Sequence, residues 1–489
     1  MEGPYVAAIE YPGSRRGTSA FPDELLERHG MKLLTGRKNF VLHFCVLAAI
    51  GAFTARAQDA SNPWPKDPYY ANNRKPDDRF KADLLVVVAH PDDEIMAAAY
   101  IAKAIEEGKR VALVWTVRGN GGTNDVGPEQ SDAMGDIRDV EGMRAAASLG
   151  ITNMWNLGGT DTPTQNPLES LETCSHGRCL DRMVRIVRLT RPAAILTWLP
   201  LGVTGENHGD HQAAGIMATE AFDLAGDPTA FPEQVAPARE PAQNMNRTEG
   251  LRPWQPQKVY YFSNPTHMDF FAGQGPEYPT TDISPSRHIS YRQIAEAEFA
   301  FHRTQGGGVM EDPIPLATPS QFILGKSLVK CGVTEDIFAG LIPEGIPYQR
   351  APGFTAGIDS APVLKIGGPW SFYRQFWQAH GLEHLGRLIP DEVSIQVGGV
   401  LSFPLIVENP SDQVIKVSFQ VQAPEGWTVT PVPDASIDAH SSYYLRLVAK
   451  APSSKLPGWQ QFKVSAESDG RNLGSVSLRI ELADWALPQ

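Results

Sequence analysis

The stretch that most limits what this chain can fold into is Leu84-Leu85-Val86-Val87-Val88, followed at once by Ala89-His90-Pro91-Asp92-Asp93-Glu94. A short apolar, β-branched run bounded by polar residues predicts a fully buried strand. Ile95 to Gly108, with Ile95, Ala98, Ala102 and Ile105 at helical spacing, predicts the helix behind it. The polar residues therefore occupy a strand-to-helix turn. In open α/β sheets the carboxyl ends of the strands form the crevice where ligands bind. An imidazole and three carboxylates are thus placed where chemistry is usually done.

The same alternation continues. Strands are predicted at Val111 to Val117, Met154 to Leu157, Ala193 to Trp198 and Lys258 to Phe262, with helices at Asp136 to Leu149, Cys179 to Thr190, Gln212 to Leu224 and Tyr291 to Thr304. Strands alternating with helices imply parallel βαβ units. The expected fold is a Rossmann-like parallel sheet with helices on both faces, spanning residues 80–310. No glycine fingerprint for a dinucleotide follows the first strand. After a connecting region, 311–387, the pattern changes to short alternating strands separated by turn residues, such as Val417, Phe419 and Val421 interleaved with Lys416, Ser418 and Gln420. Residues 388–485 are therefore expected to form a separate immunoglobulin-like β-sandwich. In the connecting region, Trp370, Phe372, Tyr373, Phe376 and Trp377 share one helical face, which predicts packing against a neighbour rather than a sugar-stacking surface.

The 489 residues carry a formal charge of −13, and the first 57 hold 7 Lys+Arg against 5 Asp+Glu, so the remainder is more acidic still. Such a surface repels polyphosphate and argues against a nucleic-acid partner. Lys32, Arg37 and Lys38 precede an apolar stretch from Phe40 to Phe53, and Ala55-Arg56-Ala57 offers a small-residue cleavage site. Residues 31–57 thus read as a secretory signal, with 1–30 an upstream extension, and the protein is expected to be exported to a periplasmic or extracellular location with no membrane span after cleavage. In an oxidising compartment Cys174 and Cys179, flanking a four-residue loop, are expected to form a disulfide. A zinc knot using them with His176 lacks a fourth ligand nearby.

If His90, Asp93 and His211 meet, two imidazoles and one carboxylate leave a fourth position open on Zn²⁺, the composition of a catalytic zinc site. Asp92 is then free to act as general base toward a water. His208, three residues before His211 and near a helix start, is placed to stabilise an oxyanion or protonate a departing amine. Glu94 opens the helix, where a carboxylate favours the dipole, and its expected role is structural. The loop Arg118-Gly119-Asn120-Gly121-Gly122 ends the second strand at the same sheet edge, which makes Asn120 and Gly121 candidates for ligand contact.

Ala89 to Glu94 matches in full the Ala-His-Pro-Asp-Asp-Glu signature of the PIG-L-like (LmbE-like) N-acetylglucosaminyl deacetylases. His208 to His211 resembles the family's second motif, usually His-Pro-Asp-His, with Gly209 in place of Pro. The likeness extends to the Gly119 to Gly122 loop, to Arg138 with Glu141, and to His302-Arg303-Thr304-Gln305. It implies hydrolysis of an N-acetyl or other N-acyl group from a glucosamine unit, using one zinc ion held by His90, Asp93 and His211, with Asp92 as base and His208 as the acid or oxyanion partner. Arg138 resembles a substrate-contacting residue; an ion pair with Glu141 or Asp139 is the alternative. The sandwich is similar to NEW3-type domains appended to secreted carbohydrate-active enzymes. Two other readings stand beside this one: a non-catalytic glycan-binding or scaffolding protein, and a zinc hydrolase of a different amide or an ester.

Overall fold

The computed structural model describes residues 76–483 apart from 204–207, 237–248, 265–269, 309–318, 354–359, 389, 455 and 457. The expected signal sequence and the upstream extension lie outside the described residues.

The first unit is a six-stranded sheet made of β1 (Leu84–Val88), β2 (Val111–Val117), β3 (Asn153–Gly159), β4 (Ala194–Trp198), β5 (Lys258–Phe262) and β6 (Ile323–Ser327). Their order is β3-β2-β1-β4-β5-β6, parallel throughout except for β6, which is antiparallel to β5. Every residue of β1, β2, β4 and β5 is buried, as two covered faces require. One face is covered by α1 (Ile95–Glu106), α2 (Ser131–Leu149) and α6 (Tyr291–Phe299). The other is covered by α3 (Pro167–Thr173), α4 (His176–Thr190) and α5 (Gly209–Leu224). The chain winds outward from β1 to β3 and then returns to place β4 on the other side of β1. The β1/β4 boundary is therefore the topological switch point, and the crevice opens at its carboxyl ends.

The second unit is a β-sandwich. One sheet pairs β7 (Val363–Ile366) with β9 (Val400–Asn409), followed outward by β13 (Ser441–Lys450) and β11 (Thr428–Val429). The other runs β8 (Glu392–Gln396), β15 (Arg471–Ala483), β14 (Gln460–Ser468), β10 (Ile415–Gln422), β12 (Ala435–Ile437). Their inner faces close on Phe403, Leu405, Leu447, Phe462 and Ile480.

Both units extend beyond the expected bounds, so 311–387 is not a simple connector. β6 completes the α/β sheet, and β7 already belongs to the sandwich. Each has at most five residues, too short for its alternation to register against its surroundings. Between them α7 (Pro369–His380) packs Tyr373, Phe376 and Trp377 into the α/β core, as the helical spacing predicts. Cys174 and Cys179, the pair expected to form a disulfide, lie side by side without a covalent bond between their sulfurs, and Cys179 Sγ donates to the Cys174 carbonyl. Both are buried among Leu171, Met183 and Leu157, a setting that packing alone accounts for.

Candidate active site

The β1 turn winds directly into α1, because Ile95, Met96 and Ala97 donate their backbone N–H to the carbonyls of Asp92, Asp93 and Glu94. Asp93 points back over the end of β1. Its Oδ2 accepts the N–H groups of Ala89 and His90 and the indole N–H of Trp198, each at 2.9 Å. That leaves Oδ1 facing His211 Nε2 at 3.1 Å. Trp198 ends β4, and its ring stacks on His211 with centroids 4.1 Å apart and planes 5° from parallel. Two adjacent strands and the first turn of α5 thus fix the carboxylate and the imidazole together.

His90 completes the set. Its Nδ1 lies 3.1 Å from His211 Nε2 and 3.5 Å from Asp93 Oδ2. Its Nε2 faces Asp161 Oδ1 at 3.1 Å and Asp210 Oδ2 at 3.5 Å. An N–H on Nε2 satisfies those carboxylates and leaves the Nδ1 lone pair toward His211, as in metal-ligating histidines whose other nitrogen donates to a carboxylate. Burial works against charging His90, yet Asp93 and Asp161 hold its pKa well above the usual value. Asp93 is lowered well below its usual range against its burial, by His211 and His90. His211 Nε2 lies 3.1 Å from both His90 Nδ1 and Asp93 Oδ1, close to the edge, about 3.3 Å, of a tetrahedron built on Zn–N distances near 2.0–2.1 Å, while His90 Nδ1 meets Asp93 through its other oxygen, Oδ2, at 3.5 Å. The donor set therefore fits one metal ion.

Asp92 adjoins that set, with a carboxylate oxygen within 4.8 Å of ligand atoms of His90 and Asp93. Its backbone has φ 151°, a region side chains rarely adopt, and its N–H donates to Glu94 Oε2 at 3.1 Å. Burial and the neighbouring Asp93 push its pKa up to about 7. His208 caps α5, where its Nδ1 accepts the Asp210 N–H, so its proton resides on Nε2. Burial, His90 and His211 push its pKa down to about 4, which keeps the ring neutral at neutral pH.

Glu94 is structural, but not as a dipole cap. It is fully buried, makes no capping bond, and accepts the Trp115 indole N–H at 3.0 Å; its Oε1 lies 3.2 Å from His302 Nε2. It thereby anchors the strained Asp92 turn. Arg138 makes no ion pair with Asp139 or Glu141 among the described residues. It is buried on α2 and donates to the carbonyls of Gly119 and Thr123 and to Thr304 Oγ1, while Asp139 pairs with Arg118 and Glu141 accepts from Thr304. Arg138 thus positions the glycine loop. That loop does reach the site, since Gly121 N–H donates to Asp161 Oδ2 at 2.9 Å, and Asn120 Oδ1 is buried without a partner.

Sequence reasoning missed Asp161, Asp210, Trp198 and Glu298. Asp161 and Trp198 stand at the carboxyl ends of β3 and β4, so the strand-end rule that singled out His90 could have found them. Asp210 lies between the two histidines already chosen and accepts the Thr162 N–H and hydroxyl, each at 2.8 Å. Nothing short of the tertiary contact points to Glu298, which lies 3.5 Å from His302 Nε2.

Fold and site together define a class: a doubly wound sheet whose switch point carries a His-Asp-His donor set with a spare aspartate beside it. The profile of the PIG-L family, described as GlcNAc-PI de-N-acetylase, matches residues 85–222. A relative from Thermobispora bispora, a 1D-myo-inositol 2-acetamido-2-deoxy-alpha-D-glucopyranoside deacetylase, is 32% identical over 320 residues, 58% of this chain and 94% of its own. A protein of the same description from Streptomyces scabiei is 29% identical over 245 residues, 47% of this chain and 68% of its own. The chain belongs to the PIG-L family. Among solved structures, the N,N'-diacetylchitobiose deacetylase from Pyrococcus horikoshii aligns with a TM-score of 0.36 at 17% identity, covering 50% of this chain and 84% of that one.

Proposed function

We propose that this chain is an exported, zinc-dependent hydrolase that removes the N-acetyl group from a glucosamine-containing glycan or glycoconjugate. The observation that carries the reading is the convergence on His211 Nε2 of His90 Nδ1 and Asp93 Oδ1, each at 3.1 Å, with His208 and Asp92 in the same cluster of possible ligands around His90. We assign Asp92 and His208 to proton transfer and oxyanion binding rather than to the metal. Relatives named as deacetylases of an acetamido-glucopyranoside support the substrate class. The basic and apolar leader at 31–57 supports export, and among the described residues no helix is long and apolar enough to cross a membrane.

Zinc held by His90, Asp93 and His211 would supply Lewis-acid polarisation of a carbonyl and of a water. Asp92, whose proton affinity is balanced near neutral pH, accepts the proton that the attacking water loses. His208, neutral with its proton on Nε2, is suited to hydrogen-bond the developing oxyanion and poorly suited to protonate an amine. Asp92 then returns its proton to the departing nitrogen, which yields acetate and the free amine.

The test is acetate release from a panel of N-acetylglucosaminides by purified zinc-loaded protein, with metal content measured in parallel. One zinc per chain and turnover of at least one glycoside are expected. Asp92→Ala should lower kcat about 100-fold or more. No release from any member, or an Asp92→Ala protein as active as the parent, would overturn the reading.

A further inference from the structure

Beside the donor set lies a cavity of about 430 Å³ lined by Gln165, Asn166, Leu201, Gln212, Trp370 and Glu392 among others. It is bounded by three pieces of the α/β unit and by two that the family match does not cover, α7 and the start of β8. We propose that this cavity is a subsite for a second, neutral pyranose unit, so that the substrate is an N-acetylated oligosaccharide rather than a single amino sugar. The proposal rests on the deacetylase reading and adds the substrate's length and charge to it.

The cavity's walls are tied to the catalytic residues: Gln212 donates to the His208 carbonyl and Thr164 accepts the Gly209 N–H. The loop after β3 carries Asp161 and Thr162 on His90 and Asp210, and its next residues, Pro163 to Pro167, form one cavity wall. Gln212 in another wall follows His211 directly, and its side-chain carbonyl accepts the Tyr373 hydroxyl, which ties α7 to α5. The loop after β4 supplies Leu201 and Gly202 from the same sheet edge. A chain whose acylated unit sits at the His90-Asp93-His211 set would, on this proposal, place its next unit in the cavity.

The lining is suited to a sugar. Of the aromatic face on α7, Tyr373, Phe376 and Trp377 are buried in the α/β core, whereas Trp370 is half-buried, packs on the sandwich core and lines the cavity with the rest of its ring. Among the described residues the Gln165 side-chain amide and the Asn166 amide N–H₂ have no partner, and both residues are exposed. A pyranose offers an apolar C–H face for the indole and hydroxyls for these amides, the mix of apolar wall and few polar groups typical of small-ligand sites. Charge decides the class of unit. No lysine or arginine lines the cavity among the described residues, and the buried Glu392 carboxylate in its wall is paired with Arg479 at 3.8 Å, so the lining presents no cation to a phosphorylated or otherwise anionic group.

The experiment uses the full zinc-loaded protein with N-acetylglucosamine oligomers of one to four units. Calorimetric affinity is measured on an Asp92→Asn variant, and acetate release on the parent. Affinity and kcat/KM should both rise about tenfold or more from one unit to three. Trp370→Ala should erase most of that gain, and Gln165→Ala, at an exposed position with no fold contact to lose, should reduce it. A length gain in affinity without acetate release would uphold the subsite and sink the catalytic reading. Acetate release with no dependence on length, or a gain that survives both substitutions, would overturn the subsite and leave the deacetylase reading standing. Failure of every oligomer to bind would overturn the subsite as well.

Discussion

Gly209 stands between the two histidines of the second motif, where the motif it resembles has proline, and its surroundings favour glycine. Its N–H donates to Thr164 O at 2.8 Å, a bond proline would forfeit. A Cβ would come within 2.6 Å of Ser170 Oγ and 2.9 Å of Thr164 O. Gly209→Ala and Gly209→Pro should each cost roughly 1–3 kcal/mol in urea unfolding and lower zinc occupancy, because His208 and His211 flank the strained contact. At Glu298 the effect has a definite pH sign. Both its carboxylate oxygens are buried without a hydrogen bond, and burial pushes its pKa from 4.5 up to about 7. The folded chain keeps a proton that the unfolded chain releases above 4.5. The stabilisation is therefore fully present below 4.5 and is lost as the pH rises toward 7. Glu298→Gln should be close to neutral at pH 4.5 and stabilising by on the order of 1–3 kcal/mol at pH 8, read from melting midpoints across that range.

At the scale of elements, what the sequence made legible was what one strand and its following turn determine. Leu84 to Val88 had to be buried, so His90 and Asp93 had to emerge at its carboxyl end, and the second motif declared its own helix start. Contacts that depend on strand order were not legible. Asp161 reaches His90 because the loop after β3 folds back along the sheet edge, past the end of β2, to the end of β1. Residues 291–304 predicted one continuous helix, yet α6 stops at Phe299. The chain then turns, with Gly306 at φ 85° and Gly307 packed where a Cβ would lie 2.2 Å from Phe299 O. That break lets His302 turn inward to Glu94. Helical periodicity carries no signal for it, since Glu298 and His302 also have the i, i+4 spacing of an exposed helical pair.

For the whole molecule, the boundary between the two units has a mechanical consequence. The sequence pattern placed the end of the first domain near residue 310, yet its core is finished by β6 and then by α7, whose Tyr373, Phe376 and Trp377 are at most 7% exposed. Fully burying each such aromatic contributes about 1.5–3 kcal/mol, so together they amount to a large share of the 5–15 kcal/mol that holds a typical domain folded. A chain ending near residue 345 should therefore unfold without a cooperative transition or aggregate. One ending at residue 388, which keeps α7 and gives up only the strands after it, should melt cooperatively and still take up zinc at His90, Asp93 and His211. Calorimetry and metal analysis of the two chains make the comparison. If the shorter chain melted as cooperatively as the longer, α7 would be an ornament of the sandwich rather than the last layer of the α/β core. The second outcome would also weaken the case that Trp370 is held rigidly enough beside Gln212 to form a binding wall.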